Sequence, residues 1–203
     1  MKTISEYKDL ALQSLEGNWT KVAVASFINF VILEVLGSGP SLFMEPTAGA
    51  ILQGVVTIIL LPMLWSYIVF FLRLIRKEDL AYGHLFDGFR QYVRIFLAML
   101  LKGIYVLLWS LLLIIPGIIK EYSYAMTENI LKDNPDMNGE QAIRESMRMM
   151  EGHKMQLFLL DLSMIGWLLL SFLTLGIGFL FLEPYVQSCH AHFYEDLKEL
   201  HNS

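Results

Sequence analysis

The stretch from Val93 to Ile115 limits most sharply what this chain can fold into. It is apolar almost throughout, and only Arg94 and Lys102 carry charge. A run of this length is enough to cross a bilayer, which takes about 20 mostly apolar residues. Pro116-Gly117 then interrupts it. Proline cannot continue a helix from inside but suits a first turn, and glycine tolerates backbone angles closed to other residues. The following stretch, Pro116 to Leu131, is compatible with helix but short and polar for a lipid-facing span. The whole reads as a tight membrane hairpin whose second arm is shielded by other helices.

The rest of the chain agrees. Hydrophobic residues make up 55% of the 203 and charged residues 17%, and the mean hydropathy is +0.50, a balance foreign to an ordinary soluble domain of this length. The single cysteine, Cys189, excludes an intrachain disulfide. The net charge of −5 decides little, because in a membrane protein the placement of charge outweighs its sum. Met1 to Lys21 is polar and precedes the first apolar run, so the first span is expected to be its own insertion signal.

Thr3 and Glu6 form the pattern of a capping box. They open a short amphipathic helix with Ile4, Tyr7, Leu10, Ala11 and Leu15 on one stripe. The first span covers about Val22 to Leu36 and holds Asn29 and Glu34. The second covers about Ala48 to Leu72, kinked at Pro62, with Ala50 and Gly54 as a small-residue contact face. Asp79 to Phe89 is a second amphipathic piece, followed by the central hairpin. Asn138 caps a third amphipathic helix, Gly139 to Glu151, with Ala142, Ile143, Met147 and Met150 on its apolar side. Met155 to Leu173 is a clear span, Thr174 to Gly178 a tight turn, and Phe179 to Leu200 a last helix that turns from apolar to polar. The expected fold is therefore an all-α polytopic membrane domain over residues 1–203. It has about six transmembrane helices arranged as three hairpins, each preceded by a short amphipathic interfacial helix.

Leu15-Glu16-Gly17, Phe86-Asp87-Gly88 and Met150-Glu151-Gly152 share an apolar, acidic, glycine order between an amphipathic helix and an apolar span. Either glycine simply ends three unrelated helices, or the chain holds three repeats, 1–72, 73–134 and 135–203. The recurring acid and flanking architecture favour repeats. With six spans, every Lys and Arg except Lys102 and Lys120 falls on one side. The positive-inside rule makes that side the cytoplasm and puts both termini there, in a plasma-membrane protein.

The runs LLLIIPGIIKEYSYAMTENILKDNP and QAIRESMRMMEGHKMQLFLLDLSMIGW, then LTLGIG, PY and FYEDL, together resemble an uncharacterised bacterial integral-membrane family, the domain of unknown function numbered 975. The resemblance covers most of the chain and is strongest from Ile114 to Leu197. It implies a helical membrane protein and carries no reaction and no catalytic residues.

Charges inside spans are the best pointers to function in such a chain. Lys102 and Asp161 fall at matched depths, roughly 10–12 Å in from the cytoplasmic edge at 1.5 Å per residue, and are expected to form an ion pair. A structural clasp between hairpins is favoured over a proton or substrate relay. Glu34, Lys120, Glu121 and Glu183 gather toward the outer half as candidates for a polar cavity, with mutual neutralisation and headgroup contact as the plainer account. Cys189, His192 and Asp196 share one helical face at i, i+3 and i+7, with His190 turned elsewhere. They are weak metal-ligand candidates, and a polar face is the simpler explanation. Arg73, Arg76, Lys77, Arg90 and Arg94 form a collar suited to anionic lipid headgroups.

Soluble-enzyme signatures are missing: there is no G-x-S-x-G, H-E-x-x-H, phosphate loop or dinucleotide fingerprint. No cofactor and no nucleic-acid partner is expected. The leading expectation is a non-catalytic scaffold or lipid-binding partner subunit, associating with another membrane protein or with itself. A small transporter using the buried charges is the alternative, and a lipid-modifying enzyme comes third.

Overall fold

The protein is described here by a computed structural model covering residues 1–37, 39, 44–174 and 176–202. Among these residues there is helix and no strand. The α-helices are α1 (Ile4–Leu15), α2 (Trp19–Gly37), α3 (Pro46–Ile59), α4 (Leu61–Ile75), α5 (Tyr92–Leu112), α6 (Ile114–Ser123), α7 (Thr127–Asp133), α8 (Gly139–Met149), α9 (Lys154–Leu162), α10 (Ile165–Leu173) and α11 (Phe179–Asn202), with a 3-10 segment Tyr82–Phe89 before α5.

Local signals are realised closely. The Thr3 side chain accepts from the Glu6 backbone while Glu6 accepts from the Thr3 backbone. Asn138 and Gln141 repeat this capping box at the start of α8, which satisfies two orphan donors at each helix start. The kink expected at Pro62 is a 45° bend at Leu60 between α3 and α4, with proline inside the first turn of the new helix, where its missing N–H costs nothing. The central hairpin breaks at Leu113, which is extended between α5 and α6.

The centre of the bundle is α4, not the long run that follows it. From Pro62 to Leu74 only Leu64, Ile68 and Arg73 escape burial, and Met63, Phe70, Phe71 and Leu72 are fully enclosed. Against it and α11 lies α1, burying Tyr7, Ala11 and Leu15 as the stripe predicts. By contrast α5 buries only Ile95 and Ala98. Its far end and the start of α6 carry large exposed aliphatic side chains, from Leu111 (75% exposed) to Ile114 (76%).

Three helical stretches are long and apolar enough to cross a membrane: Trp19–Leu36, Tyr92–Leu112 and Lys154–Leu173, the last made of α9 and α10. The bent pair α3 and α4 makes a fourth if it counts as one span. Six is not reached on length and composition. The second arm of the central hairpin is divided into the 10-residue α6 and the buried 7-residue α7. The expected shielding therefore holds for α7, while α6 exposes Ile115, Ile118 and Ile119. In α11 the apolar start gives way to Glu183, Gln187 and His190.

In α8 the buried face is Ala142, Ile143, Ser146 and Met149, continued by the buried Met150 that caps it. Met147, expected on the same apolar side, is 37% exposed and lies at the edge of the stripe that packs toward α5 and α7. Ala50 and Gly54 are exposed, and open space surrounds Gly54. The expected small-residue contact is therefore not made at Gly54 among the described residues. The turn expected at Thr174 to Gly178 includes Leu175, outside the described residues. Gly178 donates its N–H to Thr174 Oγ1 at 2.8 Å.

The three matching glycines do two different jobs. Gly17 and Gly152 terminate helical turns at φ 76° and 79° with open space around them, the left-handed cap that glycine adopts without strain. Gly88 has no such φ. It lies against the Pro62 carbonyl, and an added Cβ would stand 2.8 Å from Ser66 Oγ, which also accepts the Gly88 N–H at 2.7 Å. Gly88→Ala is expected to destabilise the fold by about 1–3 kcal/mol through overpacking against backbone. Gly54→Ala, in open space, should change little. Thermal unfolding of the two variants side by side checks this, and equal small losses would contradict the close approach at Gly88.

Candidate functional site

Lys102 sits near the middle of α5, and its ridge continues through Val106 and Ser110 along one face. Opposite lies α7, whose Thr127–Leu131 are all buried. Between these helices Lys102 Nζ meets Glu128 Oε1 at 2.6 Å, with side-chain exposures of 14% and 2%. The Trp65 indole donates to the Glu128 backbone carbonyl at 3.0 Å, fastening α7 to α4. The expected Lys102–Asp161 pair is not formed. Asp161 Oδ1 instead lies 2.6 Å from His190 Nε2 of α11, and Tyr122 donates its hydroxyl to Asp161 Oδ2 at 3.0 Å. Both acids are partnered, so neither carries the cost of a lone buried charge.

The two constellations face one space. A chamber of about 480 Å³ is walled by Lys102, Glu128, Asn129, Asp161 and His190 among others. An adjoining chamber of about 780 Å³ shares Lys102, Val106, Ser110, Glu121 and Glu128 with it and extends to Asn29, Glu34 and Glu183. Its apolar wall includes Leu61, Leu64 and Ile68, the stripe of α4 that escapes core packing. Of the four expected outer charges, Glu34, Glu121 and Glu183 line this chamber, while Lys120 does not. Its ammonium lies 5.0 Å over the Trp109 ring, a cation–π contact that takes it out of the cavity. Glu128 Oε2, Asn129 Oδ1 and Asn29 Oδ1 are buried atoms without a hydrogen-bond partner among the described residues.

Sequence reading misses Glu128 because Pro116–Leu131 reads as one helix. The chain leaves helix between Ser123 and Thr127, where Met126 donates its N–H to Ser146 Oγ at 3.1 Å and Ser146 donates to the Ser123 carbonyl at 2.9 Å. This break places α7 against α4 and α8. The usable signal was the consecutive polar run Thr127-Glu128-Asn129 within a shielded arm, since shielded polar groups must face one another.

The proposed metal ligands have other occupations. Asp196 accepts from Lys2 Nζ at 2.7 Å and from the Tyr7 hydroxyl, His192 Nε2 lies 2.8 Å from Ser14 Oγ, and Cys189 points its thiol at the Tyr7 carbonyl. Their common face is the seam between α11 and α1. Among the described residues no group of three His, Cys, Asp or Glu converges to hold a metal.

The expected lipid collar is mostly internal. Arg73 pairs with Glu78 and Asp87. Arg76 forks onto Asp133 at 2.6 and 2.7 Å and also reaches Glu195. Arg94 donates to the carbonyls of Leu131, Met137 and Asn134, closing the carboxyl end of α7, where helix carbonyls lack partners. Only Arg90, 82% exposed at its side chain, and the exposed Lys77 remain open to an outside anion. Burial by itself would raise the Asp133 carboxyl, but hydrogen bonds from Arg76 and Lys198 outweigh it and hold that carboxyl at about 2.

This is an all-helical protein with three to four stretches able to span a membrane and a charged, open-sided cavity between its helices. It belongs to the family described as Protein of unknown function (DUF975), whose family model matches residues 1–120 and 111–201. Comparison with curated proteins and with solved structures gives no match.

Proposed function

We propose that this chain is a multi-pass plasma-membrane protein that binds a small solute in the cavity between its helices, as a permease does. The observation that carries this is the Lys102–Glu128 pair set in a cavity of several hundred Å³ with further carboxylates in its walls. Charged groups at membrane depth are expensive and belong to substrate or ion paths more often than to simple anchors. The reading is therefore a binding and transport role.

The topology that suits it has six passages in three hairpins with both termini in the cytoplasm. The Lys2–Asp196 contact supports a common side for the termini. In α6–α7 and α11 the polar faces line the cavity, so these arms need less apolar length than a lipid-facing helix. Repeats over 1–72, 73–134 and 135–203 gain support from the two hairpin closures. Gly117 packs on Ser110 and Gly178 on Ser171, each glycine seven residues after its serine. A scaffold or lipid-binding subunit is the second reading. It is favoured by an apolar groove of about 390 Å³ lined by Trp19, Trp167, Leu170 and Phe181.

Access of water to the cavity separates the two readings. In a Cys189→Ala background, Val106→Cys faces the cavity and Ile104→Cys, 42% exposed on the outer side of α5, faces away from it. A charged, membrane-impermeant thiol reagent should modify position 106 at least ten times faster than position 104. Equal, slow modification would remove the permease reading and leave the scaffold.

A further inference from the structure

The cavity is asymmetric in a way that specifies a ligand. Glu128, Asn129 and Asn29 line it, and each keeps one buried oxygen, Oε2, Oδ1 and Oδ1, that has no hydrogen-bond partner among the described residues; all three are acceptors. The residues that carry them are 1%, 2% and 9% exposed, so a donor from the cavity meets these oxygens only when the side chains turn toward it. Lys102 serves only one oxygen of Glu128, and Asp161 is occupied by His190 and Tyr122. What the site lacks is a donor, and the carboxylates of Glu121 and Glu183 in the same walls make that donor positive.

A bare metal ion fits poorly. Hard cations gather six or more oxygen ligands at short range, and no group of three acidic, histidine or cysteine side chains converges among the described residues. Chambers of about 480 and 780 Å³ match an organic molecule. Their walls add Leu64, Ile68 and Val106, an apolar surface that an ion does not use.

We infer that the cavity binds a small organic cation bearing a primary ammonium group. Its N–H groups are shared by Glu128 Oε2 and Asn129 Oδ1, which turn toward the chamber their residues line, and its alkyl body lies along Ile68 and Val106. The charge is balanced by a carboxylate of which Lys102 holds only one oxygen. This assignment rests on the cavity being open to solute, as proposed above.

The test uses the purified full chain in detergent and its thermal midpoint in the presence of n-butylammonium, tetramethylammonium or n-butyrate. Butylammonium should stabilise in a saturable way, with at least tenfold higher affinity than tetramethylammonium, which has charge but no N–H. Butyrate should have no effect. Asn129→Ala, which leaves the Lys102–Glu128 pair intact, and Glu128→Gln should each weaken butylammonium binding at least tenfold. Butylammonium should also slow labelling of Val106→Cys. Equal affinity for the three probes, or unchanged binding in Asn129→Ala, overturns the assignment. If position 106 labels rapidly and butylammonium does nothing, the ligand class is wrong while the open cavity stands, its orphan acceptors being met by water. If position 106 does not label, the cavity reading itself fails.

Discussion

Lys102→Met is expected to destabilise the folded chain by about 3–5 kcal/mol, the usual cost of stripping one partner from a buried ion pair. Glu128 is 2% exposed at its side chain and one of its oxygens already lacks a partner. Removing the ammonium would leave it without either oxygen satisfied. Protonation of the stranded carboxyl caps the loss, because a buried acid neutralises before it pays the full desolvation cost. Adding Glu128→Gln should therefore recover most of the stability, giving a strongly non-additive double-mutant cycle. Pairing Lys102→Met with Asp161→Asn should instead be close to additive, since Asp161 is held by His190 and Tyr122. Thermal unfolding in detergent reads both cycles. Additivity in the first cycle together with coupling in the second would reverse the pairing described here.

Much of the fold was legible because it is written locally. The capping residues Thr3 and Asn138, the buried stripe of α1, the bend near Pro62 and the break near Pro116 all follow from chemistry within one or two turns. What stayed hidden is non-local. Hydropathy cannot separate α4, enclosed by protein, from α5, which exposes Val93, Leu107 and Leu108, because lipid tails are as apolar as a protein core. The same limit hid the arginines. Arg76 and Asp133 are separated by 57 residues, and nothing in a cluster of basic residues says whether it faces headgroups or acids brought in from elsewhere.

The candidate site was half legible for a related reason. Depth picked out Lys102, Asp161, Glu34, Lys120, Glu121 and Glu183, and all but Lys120 line the cavity. Partner choice failed because depth along a span carries no azimuth, and Glu128 outcompetes Asp161 once the chain breaks between α6 and α7. His190 was set aside in favour of the Cys189, His192, Asp196 face. That face seals α1 to the bundle, whereas His190 reaches the cavity.

Asp133→Asn tests the other charged junction. Its carboxylate receives Arg76 from α4 and both Tyr194 and Lys198 from α11, so one side chain ties three helices at the end of the bundle where both termini lie. It is 10% exposed, while Arg76 and Lys198 are 23% and 38% exposed and keep some access to water. The expected loss at pH 7 is therefore about 3 kcal/mol, at the low end for a broken buried pair. The folded carboxyl lies at about 2 against an ordinary 3.8. A lowered acid stabilises the fold above the unfolded value, and that contribution fades as pH falls from about 4 to about 2. A shift of this size amounts to about 2 kcal/mol of pH-dependent stability. The stability gap between wild type and Asp133→Asn should therefore be wide at pH 7 and narrow progressively below pH 4. Unfolding midpoints of both proteins across that range give the difference directly, free of carboxylates common to the two. A gap that stays constant down to pH 2 would mean that Asp133 is not held ionised by Arg76 and Lys198 in the folded state.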